Sequence, residues 1–148
     1  PPLRSRADRE ALVAGIQDGT IEVIATDHAP HTAAEKARGL AGSAMGIVGL
    51  ETAFPLLYTY LVKPGLLSFP RLMELNPRRI FALEGGVEEG NAADFTVLDL
   101  GAEYAVDPGT FLSKGRATPF AGWKVQGRAV LTVVGGKEVY DDNYESNR

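Results

Sequence analysis

Apolar residues at Leu12, Val13 and Ile16 fall on one helical face among polar neighbours. Ser5 with Asp8 three positions on forms a capping box ahead of them, and Gly19 supplies a left-handed stop, so an amphipathic helix is predicted between these signals. Ile21-Glu22-Val23-Ile24-Ala25-Thr26 is short, β-branched and mostly apolar, which predicts a buried strand. Asp27-His28-Ala29-Pro30-His31 follows at its C-terminal end. From Thr32 to Gly49 the chain is rich in Gly, Ala and small polar residues, longer than a mere connection needs, and a functional loop is expected. A helix is expected from Gly49 or Leu50 to Val62, with Pro55 tolerated in its early turns and Lys63-Pro64-Gly65 ending it. Ser68 is the expected N-cap of a helix through Leu75, and Asn76-Pro77 start a further short one to Leu83.

After Gly85-Gly86 the pattern changes. Phe95-Thr96-Val97-Leu98 and Ala129-Val130-Leu131-Thr132-Val133-Val134 read as strands, and Gly135-Gly136 turns the second into Lys137-Glu138-Val139-Tyr140 as a hairpin. The last few residues are polar and expected to fray. A boundary is placed near Glu84, with helix, strand, loop and helix in α/β rhythm before it and β structure after.

Composition narrows the functional classes. The net charge of −4 and pI near 5.2 give no footprint for a phosphate backbone or an anionic membrane surface. No apolar stretch approaches the roughly 20 residues that span a bilayer; the longest, Phe54 to Val62, is broken by Pro55. With no cysteine, disulfides and thiolate metal sites are excluded, and any metal must be held by His, Asp or Glu. Only His28 and His31 are available among histidines. The opening Pro1-Pro2-Leu3-Arg4 lacks an initiator Met and a signal-peptide pattern, and reads as a piece from the middle of a longer protein.

The chemistry concentrates in residues 27–31, where three metal-binding or proton-transferring groups lie within five positions. A strand would deliver Asp27 to the rim of a parallel sheet, where α/β folds build their sites. Pro30 fixes its own φ and biases Ala29 toward an extended shape, which presents His31 with less entropy to lose. A carboxylate there can ligate a metal through one oxygen and accept a proton from an attacking water through the other. The alternative reading is local: Asp after a strand is often a turn former or helix cap, and Asp-His is common in loops.

Several segments resemble the class I dihydroorotases of the amidohydrolase superfamily. They are Pro1 to Arg4, Ile24 to Thr32, Glu35-Lys36, Gly46 to Thr52, Asn76 to Phe81, Gly90 to Asp99, Pro119 to Trp123 and Gly136-Lys137. They occur in the family's order and cover essentially the whole chain; the run from Ala25 to Thr32 is the most specific. The fold this implies is α/β: the C-terminal part of a (β/α)8 TIM barrel followed by part of a β-sandwich. Residues 1–84 would supply the last strand and helices of a metal-dependent hydrolase barrel, and residues 85–148 the β-sandwich (composite) domain.

The implied activity is the reversible, zinc-dependent cyclisation of N-carbamoyl-L-aspartate to L-dihydroorotate in de novo pyrimidine biosynthesis, in the cytoplasm. By the resemblance, Asp27 ligates Zn2+ and is the general acid/base, and His31 holds the substrate carboxylate. Met45 and Gly46 would contact substrate through their backbone, where the family often has Phe-Gly. The family's other zinc ligands, including a His-x-His pair, lie upstream of this chain. The segment alone is therefore expected to be inactive and to need the N-terminal part of the same enzyme. A homodimer and association with aspartate transcarbamoylase are the assemblies the resemblance admits, with no nucleic-acid or membrane partner.

The remaining polar and aromatic residues read as structural. His28 is expected to hydrogen-bond the loop, Glu51 to favour a helix start, and Asp94 to shape a turn. Arg78 and Arg79 read as a solvated or packing pair, and Trp123 as a core anchor. Two alternatives stand beside the main reading. One is another cyclic amidohydrolase, a hydantoinase or allantoinase, against which His31 argues. The other is an inactive dihydroorotase homologue that serves as a structural partner of aspartate transcarbamoylase.

Overall fold

Both halves of the predicted capping box form in the computed structural model, which describes residues 5–76, 80–81 and 86–142. The Asp8 amide donates to Ser5 Oγ at 3.1 Å, and the Ser5 amide donates to the Asp8 carboxylate at 2.8 Å. Helix α1 (Arg6–Asp18) follows and stops at Gly19 (φ 89°), as predicted.

The strand predicted at residues 21–26 is not formed as part of any sheet. The Ile21 amide bonds the Gly15 carbonyl at 2.8 Å and the Ile24 amide bonds the Leu75 carbonyl at 2.9 Å, neither of them in a strand. A strand exists only through a neighbour that completes its ladder, and the described residues place none beside this segment.

The long loop carries two single helical turns, α2 (Ala33–Lys36) and α3 (Gly39–Gly42). Thr32 and Glu35 make a second reciprocal capping box at the start of α2. Helix α4 (Leu50–Leu57) covers the first part of the predicted helix. Its last five residues, Tyr58–Val62, wind instead as a π turn, with the Lys63 amide reaching the Tyr58 carbonyl at 2.9 Å. Ser68 caps α5 (Phe69–Glu74) by accepting from the Arg71 amide, as predicted. The short helix expected from Asn76-Pro77 to Leu83 falls largely outside the described residues, as do Arg78, Arg79 and the boundary at Glu84; Ile80 and Phe81 lie in a turn.

Strands β1 (Phe95–Ala105), β2 (Lys124–Val134) and β3 (Lys137–Asp141) form one antiparallel sheet in that order. β1 and β2 are longer than their apolar runs. Register shifts at Val97/Leu98 and between Asp99 and Glu103 absorb extra residues, so pairing continues through a less apolar stretch. The Gly135-Gly136 hairpin forms with both φ values positive, 56° and 74°. Asp94, read as a turn former, anchors this hairpin by accepting from the Gly135 amide.

Two apolar clusters hold the elements together, and α4 touches both. Val48, Val106, Phe111 and Val125 form the first, with Leu56, Tyr104 and Phe120 packed against it. Leu67, Leu72 and Leu75 form the second, joined by Ile16, Ile24, Phe54 and Leu57. Trp123 is not a core anchor. It is 46% exposed, edge-on to Tyr60 and Phe120 at centroid distances of 5.4 and 5.2 Å. It lies just before β2, directly after the turn that precedes the strand.

Candidate active site

Asp27 is the only non-glycine residue with positive φ (47°) among the described residues. A left-handed backbone at a residue with a Cβ costs about 1 kcal/mol and persists only where its surroundings impose it. Those surroundings are visible on both sides. The Ala29 amide donates to the Ile47 carbonyl at 2.9 Å, and Gly49 lies so close to Thr26 that a Cβ on it would sit 3.1 Å from the Thr26 carbonyl oxygen. Between these two ties the chain turns and leaves Asp27 exposed and His28 half-buried.

His28 is committed to structure. Its Nδ1 accepts from the amides of Gly49 at 3.0 Å and Leu50 at 3.3 Å, which lead into α4. An acceptor nitrogen carries no proton, so the ring hydrogen is on Nε2 and points to Ser113 Oγ at 3.4 Å. The ring thus caps a helix and reaches the β1–β2 connection. With both nitrogens engaged it is neither a metal ligand nor a base here, in keeping with its expected loop-bonding role.

His31, Met45 and Gly46 come together from opposite sides of the loop. Gly46 has φ 123°, and a Cβ there would lie 2.5 Å from Ala29 Cβ and 3.4 Å from His31 Nε2, so only glycine lets the two segments approach. Lys36 Nζ donates to the carbonyls of Ala44 and Gly46, both at 2.9 Å, and fixes the backbone on either side of Met45. Met45 is 92% exposed. His31 Nδ1 lies 3.9 Å from Glu35 Oε2. Hydrogen bonds from the Thr32 amide and hydroxyl hold the Glu35 carboxyl below its ordinary pKa.

Glu51 does more than favour the start of α4. Its Oε1 accepts from the Ser113 amide at 2.8 Å, while Oε2 is buried with no hydrogen-bond partner among the described residues. Burial pushes the Glu51 carboxyl up, but hydrogen bonding to Ser113 and to its own backbone amide opposes this and leaves the pKa below the usual carboxylate range. Neither the Glu51–Ser113 link nor the Lys36 clasp was found in the sequence. The Thr32-to-Glu35 capping box was the one local signal that α2, and with it Lys36, would be ordered.

Asp27 offers one exposed carboxylate beside the loop. Among the described residues, no three His, Cys, Asp or Glu side chains gather closely enough to hold a metal ion. The described residues thus form no metal shell around Asp27. Also among the described residues, no helix is long and apolar enough to cross a membrane.

The model of the Amidohydrolase family matches residues 2–139. The chain belongs to the amidohydrolase family. That family is in general metal-dependent. The chain is 58% identical over 144 residues to the dihydroorotase of Bacillus cytotoxicus, covering 95% of this chain and 34% of that protein. It is 57% identical over 145 residues to the dihydroorotase of Geobacillus thermodenitrificans, again 95% of this chain and 34% of the relative. Among solved structures, the L-hydantoinase from Arthrobacter aurescens superposes with a TM-score of 0.84 at 33% identity, covering 95% of this chain and 33% of that one. The dihydropyrimidinase from Brevibacillus agri NCHU1002 superposes at 0.86 with 20% identity over 96% of this chain and 33% of its own, a likeness of fold alone. The amidohydrolase chain spans about a third of the length of the curated relatives it matches.

Proposed function

We propose that this chain is the C-terminal portion of a dihydroorotase, with Asp27 as its acid/base and metal-binding residue. The observation that carries this is the juxtaposition of His31 with Gly46, in the segment that follows exposed Asp27, in a chain 58% identical to a dihydroorotase. Residues 1–84 then contribute the last strand and helices of a (β/α)8 barrel, and residues 85–148 part of a β-sandwich. Segment 21–26, which joins no sheet among the described residues, fits a barrel strand whose neighbouring strands come from elsewhere in the enzyme.

In this reading Zn2+ is held by Asp27 together with ligands supplied from outside the chain, and it contributes Lewis acidity and a more acidic water. The remaining chemistry belongs to residues seen here. An Asp27 carboxylate oxygen takes the proton of the attacking water in ring opening and passes it to the departing ring nitrogen. In ring closure the same oxygen carries the proton the other way. His31 orients the substrate by its carboxylate, and the Met45-Gly46 backbone, fixed by Lys36, closes the opposite side. This chain alone, with one metal ligand, is inactive. Assembly as a homodimer or with aspartate transcarbamoylase, and a cytoplasmic location, rest on the resemblance alone.

A hydantoinase reading is favoured by the superposition on L-hydantoinase, whereas the higher identity lies with dihydroorotases. Turnover of L-dihydroorotate against hydantoin by the full-length enzyme separates the two. Preference for dihydroorotate, together with a His31→Ala variant that keeps its zinc but loses substrate affinity, supports the proposal. Preference for hydantoin, or zinc lost with His31, overturns it.

A further inference from the structure

The connection between β1 and β2 belongs in sequence to the β half, yet it lies against residues 27–31. Phe111, 8% exposed, roots it in the core with Val48, Val106 and Val125. Beyond that root it makes three ties to the site. Ser113 Oγ meets His28 Nε2 and the Ser113 amide meets Glu51 Oε1. The Val48 amide donates to the Ala117 carbonyl at 3.0 Å. Gly115, buried, faces the Pro30-His31 peptide so closely that a Cβ on it would lie 2.8 Å from Pro30 Cβ, 2.9 Å from Pro30 Cα and 3.0 Å from His31 N. Arg116 turns its guanidinium back onto the Ser113 carbonyl and closes the loop on itself.

We infer that this connection is the rear wall of the site, and that Gly115 and Ser113 are positioning residues that set where His31 stands and so tune selectivity for a substrate carboxylate. The inference rests on the assignment of His31 to that carboxylate. Neither residue needs to touch substrate. Ser113 holds the His28 end of the pentapeptide and Gly115 the His31 end, so the pentapeptide is gripped between the loop and α4. The contacts facing Gly115 include backbone atoms, which cannot rotate aside as a flexible side chain would. Its own φ lies outside the left-handed region, so alanine there meets no intrinsic backbone strain. Any effect of that methyl group is transmitted through the Pro30-His31 backbone. Carbon atoms in ordinary contact sit about 3.5–4.0 Å apart, so that backbone has to retreat by about half an ångström or more.

The experiment is a cycle of Gly115→Ala, His31→Ala and the double variant in the full-length enzyme. KM and kcat are measured with L-dihydroorotate and with dihydrouracil, which lacks the carboxylate, and bound zinc is quantified. Gly115→Ala is expected to raise KM for dihydroorotate about tenfold while kcat stays within about threefold, since a displacement approaching 1 Å at a positioning group has effects of this order or larger. Zinc stays bound, and preference for dihydroorotate over dihydrouracil shrinks. On the His31→Ala background the methyl group adds nothing further, because the two changes act through one contact. Ser113→Ala, which introduces no atom, shifts selectivity in the same direction and replaces Gly115→Ala in the cycle if that variant does not fold. A change of selectivity in His31→Ala without one in the loop variants overturns this inference alone, as do losses that simply multiply in the double variant. Unchanged selectivity in His31→Ala overturns the His31 assignment and this inference with it.

Discussion

Replacing His28 with alanine removes the acceptor for two backbone amides at the start of α4 and the partner of the Ser113 hydroxyl. The Gly49 amide is half-buried and recovers little hydration, whereas Leu50 is exposed and its amide returns to water at small cost. Loss of a side-chain cap of this kind is worth about 1 kcal/mol. Loss of the bond to Ser113 adds roughly 1 kcal/mol. Together they give about 2 kcal/mol, or roughly a 30-fold rise in local opening. Asparagine separates the two contributions. Its Oδ1 sits on Cγ as the imidazole Nδ1 does and can accept from the same amides, but its side chain does not extend to Ser113. Hydrogen exchange at the Gly49 and Leu50 amides reads this directly. His28→Ala should exchange about 30-fold faster than the parent, and His28→Asn should recover about half of the loss in free energy. Equal exchange in the two variants, or no change in either, would refute the assignment of Nδ1 as the cap.

Val48 is 1% exposed and packs with residues of β2, the β1–β2 connection and α4, so Val48→Ala should lower stability by about 2 kcal/mol in urea unfolding; a change under about 0.5 kcal/mol would show that this core does not tie the site loop to the sheet. Glu51 gives a pH signature. Because hydrogen bonding to Ser113 holds its folded pKa below the unfolded value, its contribution is present above the ordinary glutamate range and is lost as pH falls through the depressed value. The stability difference between parent and Glu51→Gln, followed by urea midpoint, should therefore shrink on acidification below that range; parallel profiles would contradict it.

What the sequence revealed and what it hid divide along the range of the interactions. Local signals were legible. The capping box at Ser5 and Asp8, the cap at Ser68 and the Gly135-Gly136 hairpin are each set by a few adjacent residues, and each formed. The strand at residues 21–26 does not form in this chain because a ladder needs a neighbour, and the apolar pattern carries no information on whether one is present. The π turn at Tyr58–Val62 left no mark, since the apolar spacing of that run serves an α-helix as well. At the site, Asp27 and His31 were visible in one motif and Gly46 through the family resemblance, and the structure brings Gly46 to the histidine. Ser113 and Gly115 were invisible. They lie more than 80 residues from His28 and His31 along the chain, and only folding brings them there. Trp123 was assigned to the core on residue type alone, and its place between a turn and β2 leaves it 46% exposed.

The proton-transfer role of Asp27 is tested most directly by Asp27→Asn in the full-length enzyme, which keeps the size of the side chain and removes its capacity to take up and return a proton. Hydrolysis of L-dihydroorotate is expected to fall by about 10²–10⁴-fold in kcat, the usual contribution of a positioned acid/base, with the fold unchanged by circular dichroism. A kcat within tenfold of the parent would contradict the account.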